Sequence, residues 1–451
     1  MWTAERLAAR LAESSADGIA RSVARLVSTG EIEVGTRLPT VRALARSLRV
    51  SPTTVSEAWR SLSSAGVVET GGRRGTTVRG RPQPAAATRF SKLHHNGPPP
   101  ALDLSTGTPD PDLLPDLGPA MHKLSRHAAA SSYFDAPVLP ELEEVLRADW
   151  PFRPAALTMV DGAMDAIDRV FEVVLRFGDR VLVENPTFPP ILDLLEERGI
   201  TVLGLPLDAE GVRPDALADA VAGSPPAALV IQPRAQNPSG HTMSDQRAMR
   251  LASILGVAKD LVIIEDDHGA PLSTSPPVSL GSYLPEQTVH VRGFSKSHGP
   301  DLRLAALGGV DAIVEKVLRR RLLGPAWSSR LLQALLLHLL TDPASVAEVA
   351  HASRVYAQRR GLLTEALTGR GVRVAGGDGI NLWIEVRDET AALVALAVNQ
   401  ITAAPGSPFL SAPLAADHIR VTCAGVRGDI DQLAGHIAAA ALPAGSPYRA
   451  N

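Results

Sequence analysis

The stretch Val291–Arg303, VRGFSKSHGPDLR, carries residues that could do chemistry. An apolar run, TVHV (288–291), reads as a buried strand and gives way to Ser295, Lys296, Ser297, His298 and Gly299, with Arg303 seven residues past the lysine. A lysine at the mouth of a strand, between hydroxyl residues and ahead of an arginine, does little for stability. It suits an aldehyde ligand with a phosphate tail. The Lys296 amine would form an imine, and Ser295 and Arg303 would hold the phosphate. Taken alone, such a lysine is more often a surface charge; other stretches change the balance.

Asn237, in QPRAQNPSG, lies just past the apolar run ALVIQ, and Asp266 directly follows LVIIE. Three runs thus end in an amide, a carboxylate and an amine. With a pyridine aldehyde, Asp266 would pair with the ring nitrogen and keep it protonated, Asn237 would bond the ring hydroxyl, and Lys296 would form the covalent link. Burial beside a cationic ring would lower the lysine pKa. Upstream, MVDGAMDAIDRVFEVVL opens a helix at Gly162, Ala163 and Met164, whose backbone N–H groups would cradle a phosphate. Phe188, in ENPTFPP, could stack on a ring, although a plain core role suits it equally.

These residues need a frame. RVLVE (180–184), ITVLGL (200–205), AALVIQ (227–232), LVIIE (261–265), TVHVR (288–292) and LAALGG (304–309) read as strands with helical segments between several of them. That pattern predicts an α/β unit with a mostly parallel, buried sheet, which binds ligands beyond the carboxyl ends of its strands. Its large part spans about 140–325. Leu331–Leu340 is a strongly apolar helix. INLWIEV and HIRVTCAG are strands of a small α+β lobe at about 350–445. The last ten residues read as disordered.

The first eighty residues differ in kind. They hold 12 Arg, no Lys and 7 acidic residues, a net of +5; the whole chain is −3, so the remainder carries −8. A basic head on an acidic body suggests a polyanionic partner for the head alone. Ile19, Val23, Leu26 and Val27 mark one helix. Val41, Leu44, Ala45 and Leu48 mark a second, and Val55, Ala58, Trp59 and Leu62 a third, with Ser51 as its cap and Pro52 in its first turn. GVVET, GGRRG and TTV then form a hairpin. Together these predict a winged helix-turn-helix over residues 10–79. Thr53, Thr54, Ser56 and Arg60 on the third helix, with Ser51, face the groove of double-stranded DNA. Arg42, Arg73 and Arg74 are suited to phosphate or minor-groove contact.

Residues 80–101 are rich in Pro and Ala, lack periodicity and read as a linker; His94 and His95 point apart in an extended chain and do not suggest a metal. No apolar run is long enough to cross a bilayer, so no membrane partner is expected. The single Cys423 excludes an intramolecular disulfide or a cysteine-rich metal site, and fits a reducing cytoplasm.

The head, GEIEVGTRLPTVRALARSLRVSPTTVSEAWRSLSSAGVVETGGRRGTTV, closely resembles the GntR family of bacterial regulators. Members often have basic residues where Pro52 and Ser56 stand, and Glu57 makes this third helix less cationic still. From about residue 103 onward the chain resembles the fold-type I aminotransferases, most specifically at NPSG (237–240), IIEDD (263–267) and FSKSHGPDLR (294–303). A GntR head on such a body is the hallmark of the MocR-type regulators. The resemblance implies one aminotransferase class I/II-like domain over 102–445, with pyridoxal 5'-phosphate on Lys296. It also implies head-to-tail, domain-swapped homodimers. It places Arg420 where aminotransferases grip a substrate carboxylate. It puts His268 where relatives usually carry a tyrosine on the ring hydroxyl; an imidazole can donate the same bond but titrates near neutrality. The implied function is a transcriptional regulator sensing an amino acid, an amine or pyridoxal phosphate. The alternative is a working aminotransferase that keeps a DNA-binding head.

Overall fold

The computed structural model describes residues 2–11, 13–28, 30–64, 67–70, 75–78, 88–93, 100–124 and 135–442. The expectations for Arg73, Arg74, His94, His95 and the last ten residues fall outside this set, except for Leu442, the last residue described. Two compact units result: Met1–Thr88 with Leu175–Val181 and Leu192–Val202, and Arg89–Val174 with Leu182–Ile191 and Leu203–Asn451.

In the head, helices Ala16–Ser28, Val41–Leu48 and Pro52–Ser64 precede an antiparallel hairpin, Val68–Thr70 with Thr76–Val78. Thr40 Oγ1 accepts from the Ala43 N–H at 3.3 Å and starts the second helix, and Arg49 ends it in a left-handed conformation (φ 57°). Ser51 Oγ accepts from the Thr53 N–H at 3.2 Å at the start of the third. The apolar stripes meet as expected: Ile19, Val23, Leu26, Leu44, Val55, Ala58, Trp59 and Leu62 form one core. Trp2 and Leu7 join it, Leu7 from an additional short helix, Ala4–Ala8, and Trp2 from just before it. Because Trp59 is the large aromatic of the third helix and is buried in so small a core, Trp59→Ala is expected to destabilise the head by about 3–5 kcal/mol. Denaturant unfolding of the full chain would read this as an early loss of head structure with the body transition unmoved.

The body's large sheet has eight strands in the spatial order Ala156–Val160, Ala305–Gly309, Thr288–Gly293, Val262–Asp267, Ala228–Ile231, Arg180–Asn185, Thr201–Asp208, Gly211–Val212. Strands 228–231, 262–267 and 288–293 are parallel neighbours. Ala305–Gly309 runs antiparallel to Thr288–Gly293 and pairs on its other side with Ala156–Val160, a strand the sequence reading passed over. The turn after Lys296 is tight enough to send the chain straight back beside its own strand, so no crossover helix intervenes.

The small lobe is a five-stranded sheet in the order Val374–Ala375, Asn381–Val386, Asp417–Thr422, Ile401–Pro405, Leu102–Leu104. Its outer strand, Leu102–Leu104, comes from far upstream and pairs in parallel with Ile401–Ala403. The 26-residue helix Pro343–Thr368 and helix Ile430–Ala441 contribute Leu363, Leu367, Leu433 and Ile437 to its core. Inside the stretch read as a featureless linker lies a short helix, Thr88–Ser91, held by contacts with the body rather than by any periodic pattern. Among the described residues no helix is long and apolar enough to cross a membrane.

Candidate functional site

The parallel register sets Val291 opposite Asp266 and Ile231 opposite Glu265, so three strands end at one edge. Asp266 is only 3% exposed. Its Oδ2 accepts from Gln232 Nε2 at 2.6 Å, and its Oδ1 is buried without a partner. Gln232 also donates its backbone N–H to Glu184 at 3.1 Å and accepts from the Asn237 N–H at 2.7 Å. Gln236 Nε2 donates to the same Glu184 oxygen at 3.2 Å. Amide side chains thus seat two buried acids. Burial pushes the Glu184 carboxyl up to about 8 and holds Asp266 above the usual carboxylate range, against the pull of His268.

Lys296 lies in the single turn of helix Ser295–His298 that follows the strand, and its Nζ donates to the Gly107 carbonyl. Part of its length reaches solvent, yet its surroundings bring the amine down to about 8. Burial is the main cause and nearby Arg420 the second, with Asp266 opposing. His268 lies within the field of the Asp266 carboxyl, which draws a proton toward its ring. Its Nε2 is buried without a partner, and burial holds it below the ordinary imidazole value. Arg420, 2% exposed, donates from Nη1 to Asn237 Oδ1 at 3.3 Å and from Nη2 to the Ser105 carbonyl, while its Nε is buried without a partner. Its guanidinium carbon lies 5.1 Å from the centre of the Phe409 ring, and burial lowers its pKa to about 10.

At the same sheet edge, just past strand Ala156–Val160, Gly162 (φ 108°) opens helix Ala163–Val174. A Cβ there would stand 3.2 Å from Arg303 Nη2, so the glycine admits the arginine to the first turn formed with Ala163 and Met164. Arg303 is exposed, adopts a left-handed conformation (φ 49°), and donates to the Asp161 carbonyl at 3.4 Å. Ser295, half-buried, starts the lysine's helix. Phe188, half-buried beyond strand Arg180–Asn185, meets Phe90 edge-on. The structure therefore groups Asn237 with Arg420, Lys296 with Arg420 and Asp266, and Gly162 with Arg303. Sequence reasoning missed Gln232, Glu184, Ser105 and Gly107. Gln232 had left a signal, a polar residue closing the apolar run ALVIQ; Ser105 and Gly107 act through backbone carbonyls, which leave none.

On the head, Arg42, Ser51, Thr53 and Arg60 are exposed, and Thr54 and Ser56 are partly so. Arg46 and Arg49, which the sequence reading did not single out, are exposed on and just after the helix that carries Arg42.

Residues 15–78 match the family of bacterial regulatory proteins, gntR family, and residues 99–437 match aminotransferase class I and II. The chain is 36% identical to the vitamin B6 salvage pathway transcriptional repressor PtsJ of Salmonella typhimurium over 82% of its own length and 85% of the relative's. It is 28% identical to the HTH-type transcriptional regulator TauR of Rhodobacter capsulatus, over 80% and 81%. The chain belongs to the MocR-type GntR regulators. Among solved structures, the body of this MocR-type chain has the fold of LysN, an α-aminoadipate aminotransferase from Thermus thermophilus. The TM-score is 0.69 at 22% identity, over 84% of this chain and 96% of the other.

A MocR-type regulator of this family is a DNA-binding protein with pyridoxal 5'-phosphate as its cofactor, and the residues here fit that group. The orphaned Oδ1 of Asp266 can accept from a ring N–H. The Lys296 amine is lowered toward its neutral form. The helix opening at Gly162, beside Arg303, offers N–H groups and a cation to a phosphate. When bound, the cofactor supplies an electrophilic aldehyde and an electron sink.

Proposed function

We propose that this MocR-type chain represses or activates transcription in response to pyridoxal 5'-phosphate itself, held by Lys296, Asp266 and Asn237. Gly162, Ala163, Met164, Ser295 and Arg303 take the phosphate, Phe188 flanks the ring, and His268 lies beside it. The observation that carries this is the unpartnered Asp266 Oδ1 at the same sheet edge as a lysine whose proton is loosened. The likeness to a relative named for vitamin B6 salvage supports the vitamer as the signal. We read the working form as a cytoplasmic homodimer, domain-swapped, in which the head of each chain lies near its partner's body. Exposed Leu322, Leu323 and Leu331 favour a covered face. Arg42, Ser51, Thr53, Thr54, Ser56, Arg60, Arg73 and Arg74 contact double-stranded DNA.

A second reading is an amino-acid or amine effector, or slow transamination. It is favoured by Arg420, a buried arginine whose Nε lacks a partner and whose fork suits a carboxylate. Absorbance of the purified protein decides the first point. A band at roughly 400–430 nm is expected on adding pyridoxal phosphate, and Lys296→Ala should abolish it. A wild-type protein without the band would overturn the reading. With the band in hand, DNA from upstream of the protein's own gene should be bound differently with and without the vitamer. Shifts driven only by an amino donor would favour the second reading.

A further inference from the structure

The segment that enters the body from the head does more than connect. Arg89 Nη1 donates to the Leu410 carbonyl at 3.0 Å. Phe90 meets Phe188 with ring centroids 6.4 Å apart and planes at 80°. Leu93 is buried with Trp383, Ala404 and Phe409. The Phe90 contact ends on a site residue, and Leu93 shares its apolar cluster with Phe409, the ring beneath the Arg420 guanidinium. Farther along, the chain adds strand Leu102–Leu104 to the small sheet. It then presents the Ser105 and Gly107 carbonyls to Arg420 and Lys296. The path from head to body therefore touches Lys296 and Arg420 and reaches Phe188 and the cluster of Phe409.

We propose that Arg89–Leu93 is a latch that reports filling of the Lys296–Arg420 site to the head, by docking on Phe188 and Phe409. The inference rests on the reading of that site as the place where pyridoxal phosphate binds. Helix Thr88–Ser91 is a single turn, too short to persist in water on its own, so its folded form depends on the wall beneath it. A ligand that immobilises Phe188 and Arg420 firms that wall and favours the docked latch; an empty site lets it go. Release frees residues 88–93 from that wall and widens the reach of the head to which they lead. By linkage, latch docking must strengthen ligand binding by the factor by which ligand strengthens docking.

Limited trypsin digestion of the full chain tests this, because Arg89 and Lys92 are both cleavage sites within the latch. Absorbance follows cofactor loading, and mass spectrometry counts cuts at these two positions. Loading with pyridoxal phosphate should slow these cuts at least about five-fold. The double variant Phe90→Ala/Leu93→Ala should keep the absorption band, show fast cleavage with or without ligand, and bind pyridoxal phosphate more weakly by a similar factor. A band that forms while cleavage after Arg89 and Lys92 stays unchanged or speeds up overturns the latch and leaves the site reading intact. Absence of the band in wild-type protein instead removes the site reading, and the latch with it.

Discussion

Asp266→Ala is expected to weaken pyridoxal phosphate binding by about 10²–10⁴-fold, the consequence of losing ~3–5 kcal/mol when one partner of a buried charged pair is removed. The carboxylate is already half committed: Gln232 Nε2 fixes Oδ2 at 2.6 Å, and this leaves Oδ1 buried and unpartnered. Such an oxygen is costly in the ligand-free protein and finds its compensation in a cationic N–H. Removing it costs the ligand that bond and leaves a protonated ring nitrogen in a site with no counter-charge. Asp266→Asn should fall in between, since the amide keeps an acceptor but not the charge. Gln232→Ala should cost about 10-fold, the scale of one hydrogen bond to a charged group, because the carboxylate then loses its orientation but not its presence. Equilibrium titration of ligand-free protein with pyridoxal phosphate measures all three. Wild-type affinity in Asp266→Ala would mean that the carboxylate faces something other than the ring.

Much of this site was legible because strands announce their ends. Asp266 and Lys296 each follow an apolar run whose length alone marks it as buried, and Asn237 stands a short turn beyond one; parallel pairing then forces those ends to one edge. In the head, the i, i+3, i+4, i+7 spacing of Val55, Ala58, Trp59 and Leu62 was enough to show which face packs and which faces outward. What stayed hidden has other causes. Ser105 and Gly107 act through carbonyls, which every residue possesses. Their place beside Arg420 and Lys296 follows from Leu102–Leu104 joining a strand some 300 residues later, a pairing that no local pattern encodes. The latch helix was invisible because its order comes from Phe188 and the Phe409 cluster, not from its own composition. Ala305–Gly309 was read correctly as a strand, but its antiparallel direction depends on the tight turn after Lys296 rather than on its residues.

The rate at which pyridoxal phosphate attaches to the ligand-free protein should rise about ten-fold between pH 7 and pH 9 and then level off. Attachment requires the neutral amine of Lys296, whose pKa is lowered to about 8. About a tenth of the amine is then neutral at pH 7 and about nine-tenths at pH 9, whereas an ordinary lysine would still be gaining ten-fold per unit in that range. Burial is the main cause and survives single substitutions elsewhere, so the two smaller causes can be separated. Arg420→Gln removes a repelling cation and should move the midpoint up. Asp266→Asn removes an attracting anion and should move it down. His268 adds no step in this window, because burial keeps its own titration below the ordinary imidazole value. The same shift carries a sign for stability. Between about pH 8 and the ordinary lysine range, the unfolded chain still holds a proton that the folded chain has released. The ligand-free protein should therefore gain stability from this group as pH rises through that interval. Stopped-flow absorbance reads the rate, and denaturant midpoints read the stability. A rate that keeps climbing ten-fold per unit past pH 9 would show that Lys296 is not desolvated, and with it would go the argument that this site is primed for an aldehyde.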